Sequence, residues 1–170
     1  MSAHANGGAK PVVEPALFRE GMSHVVSAVH VVTTGGPHGR AGFTATAMSS
    51  VSDAPPTLLV CMNATSSSAE HLTRNGLFAV NTLAAGQQGV AEAFSGRTGL
   101  SGDARFEAGQ WTMDADGVPV LQGAVAVFRC RIVAIHPVAT HLVLFGEVYA
   151  VTPASDEHGL AYLRRHFVTV

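Results

Sequence analysis

Apolar and polar positions alternate in two different rhythms along the chain. PALFREGMSHVVSAV, starting at Pro15, places Leu17, Met22, Val25 and Val26 near helical spacing, which predicts a first helix over Glu14–Ala28. AVHVVTT is rich in β-branched residues and GGPHGR is a turn cluster, so a strand and a hairpin turn follow. Gly42–Ser52 reads as the returning strand. Asp53-Ala-Pro-Pro ends it, because proline cannot donate to a ladder. The run TLLVCMN then predicts a strand buried on both faces.

The next segment, SSSAEHLTRNG, predicts a helix with Ser68 as N-cap, Glu70 in its first turn and Asn75-Gly76 as its stop. LFAVNTL predicts a strand and AAGQQGVAEAFSG a short helix ending at Gly96, while Thr98–Gly117, carrying Phe106 and Trp111, predicts a long surface excursion. AVFRCRIVAIHPV and HLVLFGEVYAV predict two long strands joined around Pro137–Thr140, and HGLAYLRRHFVTV a short helix or extended end. Many β-branched strands, hairpin turns and few helices favour a mainly β, antiparallel barrel over a parallel doubly wound sheet. The expected layout is a disordered tail over residues 1–14 and a single domain over 15–170.

Composition changes this picture in two ways. The chain of 170 residues is 47% hydrophobic and 13% charged, a thin charge coat that suggests surface buried in an oligomer or under a cofactor. A net charge of −2 with no plainly basic face argues against a nucleic-acid partner. No apolar run is long enough to span a membrane, and the N-terminus lacks the pattern of a secretory signal. Cys61 and Cys130 lie in apolar runs outside any CxxC pair, which predicts free thiols and a cytoplasmic location.

Candidate chemistry gathers in GFTATAMSSVSDAPPTLLVCMN, from Gly42 to Asn63. On one strand, Thr44, Thr46 and Met48 would share a face, with Phe43, Ala45, Ala47 and Ser49 on the other. Small residues let a flat ring approach the backbone, and hydroxyls can bond its polar edge. An ordinary half-exposed, threonine-rich strand has the same look. Thr65-Ser66-Ser67-Ser68 at a predicted helix start suits a phosphate, although one of these four hydroxyls would suffice as a cap. His141 and His166 are lone histidines, and Arg164 and Arg165 are either phosphate partners or a solvated face. No GxGxxG, GxxxxGK[ST], HExxH, zinc spacing or GxSxG elbow is present, so no metal is expected.

The segments VHVVTT, GFTATAMSSVSDAPPTLLVCMN, SSS, FAVNTLAAGQQGVAEAF, GVPVLQGAVAVFRCRI, THLVLFGEV and YLRRHF occur in that order over Phe18–Phe167. This series resembles the short-chain flavin reductase family, the reductase components of two-component flavin monooxygenases. Within the family it looks most like the FMN reductases of pyrimidine degradation and the 4-hydroxyphenylacetate monooxygenase reductases. The resemblance implies a split β-barrel with a Greek-key connection, assembled as a homodimer. It also implies hydride delivery from NADH or NADPH to FMN or FAD, with FMN and NADH favoured, and diffusion of the reduced flavin to a partner monooxygenase.

Residue by residue, the resemblance implies flavin contacts at Gly42, Phe43, Thr44, Thr46, Ala47, Cys61, Met62, Asn63 and Phe94, with Ser67 and Ser68 on the phosphate side. It implies nicotinamide contacts at His141, Arg164, Arg165 and His166, with His141 in the catalytic role. Ala-Thr-His stands where many members have Gly-Asp-His, so Thr140 replaces an aspartate. Two other readings share such a barrel: an FMN-binding protein without reductase activity, and a pyridoxamine-phosphate-oxidase-like enzyme. The second needs basic phosphate clamps, and the chain's one lysine is Lys10 in the tail.

Overall fold

The computed structural model describes residues 11–153 and 158–170, so most of the expected tail lies outside it. In chain order come α1 (Pro15–Ser23), β1 (Ser27–Ala28), β2 (His30–Thr34), β3 (Ala41–Ala45), β4 (Met48–Asp53) and β5 (Pro56–Asn63). Then follow α2 (Ala69–Asn75), β6 (Leu77–Thr82), a 3-10 turn at Ala85–Gln87, α3 (Gln88–Phe94) and a second 3-10 helix at Gly102–Glu107. The chain closes with β7 (Trp111–Met113), β8 (Pro119–Leu121), β9 (Ala126–Val138), β10 (His141–Pro153), β11 (Leu160–Leu163) and β12 (His166–Thr169).

Seven strands form one antiparallel sheet in the order β3-β2-β6-β9-β10-β5-β4. The 13-residue strands β9 and β10 form a long hairpin that lies between β6 and β5. Since β5 precedes β6, the chain crosses over the end of that hairpin through α2, which is the Greek-key arrangement. The sheet curls on itself: Phe43 and Ala45 of β3 share one core with Leu58, Val60 and Met62 of β5, near the opposite end of the strand order. The result is a split barrel, with no β3–β5 ladder among the described residues.

The strand expected over Gly42–Ser52 is broken in two at Thr46–Ala47. Its first half pairs with β2 and its second half with β5, so one bent segment serves both ends of the sheet. β5 is also not buried on both faces. Leu58, Val60 and Met62 point into the barrel while Leu59 and Cys61 are half-buried, because only one face of a curled antiparallel sheet meets the core.

Around the outside, α3 and the 98–117 segment cover β2 and β3. Far from being a surface excursion, this segment folds inward: Phe106 is buried and Trp111 half-buried, and with Phe94 they form an aromatic cluster whose ring centroids lie 5.0–5.3 Å apart. Enough aromatic surface is available there to repay the ordering of a glycine-bearing loop. The chain end forms a hairpin, β11–β12, that joins β1 in a small three-stranded sheet.

The expected first helix is shorter than its apolar pattern. α1 stops at Ser23, where the His24 N–H donates to the Gly21 carbonyl and the Val25 N–H to the Met22 carbonyl, and it buries none of its residues. Leu17, Phe18, Met22, Val25 and Val26 are all about half exposed or more. The periodicity is real, but the barrel offers this stripe no core to pack on.

Candidate functional site

The bend in the β3–β4 segment creates the site. Alongside β5, β4 ends at Met48 opposite Val60, and one further bond runs from the Cys61 N–H to the Ala47 carbonyl at 3.0 Å. Beyond that point the chain must leave β5 to pair with β2. Residues 43–47 therefore diverge from the last residues of β5, and the wedge between them is a cleft of about 510 Å³. That volume lies in the range of small-ligand sites.

Of the eleven residues predicted as flavin contacts, Phe43, Thr44, Thr46, Ala47, Cys61, Met62, Asn63, Ser67 and Phe94 line this cleft, and His141 joins them. Gly42 and Ser68 do not. Gly42 stands behind the wall: a Cβ there would lie 2.7 Å from Phe94, so only glycine lets that ring lie flat against β3. The Gly42 carbonyl accepts from Ser68 Oγ at 2.9 Å and from Arg105 Nη1 at 3.2 Å. Ser68 is buried and its hydroxyl proton is committed to the Gly42 carbonyl. It does not cap α2 with its side chain.

Neighbouring hydroxyls differ in what they can still offer. The Thr44 hydroxyl donates to the Ala91 carbonyl at 2.7 Å, which ties β3 to α3 and leaves Thr44 able only to accept. Asn63 Oδ1 accepts from the N–H and the hydroxyl of Thr65, both at 2.9 Å, which leaves its amide nitrogen to donate. Ser49 Oγ donates to the Ser50 carbonyl and Ser52 Oγ accepts from the Ala54 N–H, so these two serve the end of the strand.

Ala45 and Ser66, which lie in the marked segments without having been named as contacts, also line the cleft, and two further lining residues, Ser95 and Arg105, had no sequence signal. Arg105 comes from the 3-10 helix inside the 98–117 segment. Its Nε donates to the Leu100 carbonyl at 3.1 Å, and with the Gly42 bond this fixes the guanidinium at the cleft wall. No local signal marks it, since the aromatic cluster brings it there from more than sixty residues away. α2 has only seven residues, so an anion in this cleft would depend on Arg105 and the serine hydroxyls more than on a helix dipole.

His141 begins β10 and pairs in register with Asn63. Its Nδ1 is 2.9 Å from Thr140 Oγ1, a contact that leaves Nε2 for a ligand. Arg164, Arg165 and His166 are not in the cleft. Arg164 and Arg165 form the β11–β12 turn, and Arg165 lines a neighbouring cleft that shares Thr46 with the first. Both cysteines are free, and burial pushes the Cys130 thiol up to about 12, which makes it inert.

Residues 22–170 match the family model for the flavin reductase like domain. The chain belongs to that family. It is 51% identical over 158 residues to a Methylorubrum extorquens protein named FMN reductase (NADH) RutF 1, an alignment covering 93% of this chain and 78% of the relative. A relative of the same activity from Ancylobacter novellus is 48% identical, with 97% and 91% covered. Among solved structures, the flavin reductase component of a bacterial two-component tryptophan halogenase superposes with a TM-score of 0.85 at 28% identity, covering 92% of this chain and 98% of that one. A Streptomyces globisporus NADH:FAD oxidoreductase, solved with NAD and FAD fragments, gives 0.83 at 29% identity, with 94% and 96% covered.

Because the Gly42 carbonyl keeps its Arg105 bond, Ser68→Ala should cost only about 1 kcal/mol of stability, the net worth of one hydrogen bond. Denaturant unfolding would show the loss, while flavin affinity stays near that of the unsubstituted protein. A large selective loss of FMN binding would put Ser68 back in the site.

Proposed function

We propose that this chain is an FMN reductase that uses NADH and supplies reduced flavin to a separate monooxygenase component. One observation carries the reading: the cleft at the barrel split gathers nine of the eleven residues expected on the flavin side, together with His141, in a chain about half identical to proteins named FMN reductase (NADH). A flavin held by these residues would supply the hydride acceptor for the reduced nicotinamide.

The chain's own residues do the holding. Ala45 and Ala47 leave the diverging backbone open to a flat ring, and Phe94 closes the wall behind it. Thr44 accepts and the Asn63 amide donates, so the two offer complementary partners to a polar ring edge. Ser66, Ser67 and Arg105 hold the phosphate end. His141 Nε2, at the end of β10, positions the nicotinamide. Holding both partners in one cleft turns a bimolecular encounter into an oriented one. Hydroxyls and a single arginine give moderate grip, which suits a flavin that must leave after reduction.

A homodimer belongs to the same proposal, supported by Leu17 and Val26, apolar residues that are more than half exposed and line no cleft. Light scattering should give twice the 17.6 kDa chain mass, and a single-chain mass would refute it. The two free cysteines fit a reducing, cytoplasmic setting.

Anaerobic mixing of protein, NADH and FMN should bleach the nicotinamide absorbance faster than a protein-free control. An equal rate would leave an FMN-binding protein without reductase activity. His141→Ala should raise the NADH KM or slow hydride transfer, with FMN affinity little changed.

The phosphate assignment has its own contrast. Ser67→Ala and Arg105→Met should weaken FMN binding more than riboflavin binding, by about tenfold for the arginine, since a charged hydrogen bond contributes roughly 1.5–3 kcal/mol. Equal losses for both ligands would place the phosphate elsewhere.

A further inference from the structure

The cleft next to the flavin cleft is about 320 Å³ and is lined by residues that include Phe18, Arg19, Met22, Thr46, Tyr162 and Arg165. Thr46 belongs to both clefts, so they open on either side of the same bend. The second combines aromatic rings with two guanidinium groups, a set suited to a purine ring and phosphates. Two contacts fasten α1 over it: Arg165 Nη2 pairs with Glu20 Oε2 at 2.6 Å, and the Arg164 N–H donates to the Ser23 carbonyl at 2.6 Å. Arg164 and Arg165 sit at φ 49° and 65°, a left-handed turn that asparagine and glycine fill at lower cost.

Glu20 is tied down on both oxygens, with His24 Nε2 3.3 Å from Oε1. Arg165 first, and His24 after it, hold its carboxyl below the usual carboxylate range, so it stays ionised at neutral pH. Arg165 therefore enters the cleft with its charge already answered.

We propose that this second cleft takes the adenosine-phosphate end of the dinucleotide, and that Glu20, acting through Arg165, selects NADH over NADPH. The inference rests on the reductase reading above. A 2′-phosphate carries up to two negative charges and needs a free guanidinium, whereas a 2′-hydroxyl does not. Glu20 occupies the guanidinium that could serve and adds a like charge beside it. An acidic residue accepting the hydroxyl form and an arginine accepting the phosphate is also the general logic of dinucleotide selection at other folds. Arg19 remains for the pyrophosphate that both dinucleotides share.

The test is steady-state reduction of FMN by NADH and by NADPH, using the unsubstituted protein, Glu20→Gln and the double variant Glu20→Gln/Arg165→Met. Glu20→Gln should raise the ratio of kcat/KM for NADPH to that for NADH by about fivefold, and the double variant should lose that gain. Inhibition by adenosine 2′,5′-bisphosphate should strengthen in Glu20→Gln while inhibition by 5′-AMP does not; mere loosening of α1 would shift both together. An unmoved ratio with NADH oxidation intact overturns this inference alone, as does a gain that survives loss of Arg165. Failure of the unsubstituted protein to oxidise NADH overturns the reductase reading and this inference with it.

Discussion

One strand has to serve both ends of a curled sheet. Its first half pairs with β2 and its second half with β5, so somewhere between them the backbone must leave one neighbour for the other. That parting falls at Thr46–Ala47, just past the bond from Cys61 to Ala47. Strand ends that diverge there leave peptide groups without a ladder, and such groups need other partners. A flat ligand with donors and acceptors on its edge can supply them. The split in the barrel and the binding cleft are the same feature, and small residues at the bend keep it open.

The wall behind the cleft depends on Gly42. With no side chain it lets Phe94 lie against β3, and its carbonyl receives both Ser68 and Arg105. One backbone group thus ties the start of α2 and the 98–117 segment to the strand lining the site. Phe106 and Trp111 complete the clamp by packing on Phe94. Packing outside the barrel therefore fixes chemistry inside the cleft, because it holds the Arg105 guanidinium at the wall.

Local signals made much of the architecture legible. Gly76, with φ of 72°, ends α2 as its sequence promised, and the β9–β10 pair was readable from two long β-branched runs. Cues failed where the answer depended on distant parts of the chain. Nothing within Gly42–Ser52 says that its halves pair with different strands, since that follows from the curl of the whole sheet. The stripe on α1 looks like a core face and has no core to meet. Ser67 and Ser68 are indistinguishable in sequence, yet one turn of backbone sends the first to the cleft and the second to Gly42. Arg105 had no local mark, because an aromatic cluster carries it in.

The exposed α1 stripe and the ion pair beside it act on different terms. The apolar face offers unspecific burial to a second copy, whereas the Glu20–Arg165 contact is a directed bond between two half-exposed side chains. Such an exposed pair adds little to stability, since solvent screens it and both side chains lose freedom. Its placement is costly as well, with two arginines in a left-handed turn that glycine would fill without strain. A weak bond at a strained turn is poorly explained by folding alone. It is better explained by what the turn faces: a cleft that shares Thr46 with the one proposed to hold the flavin. There a small electrostatic difference need not stabilise the fold to matter, because selectivity depends only on how differently two dinucleotides meet the same charge.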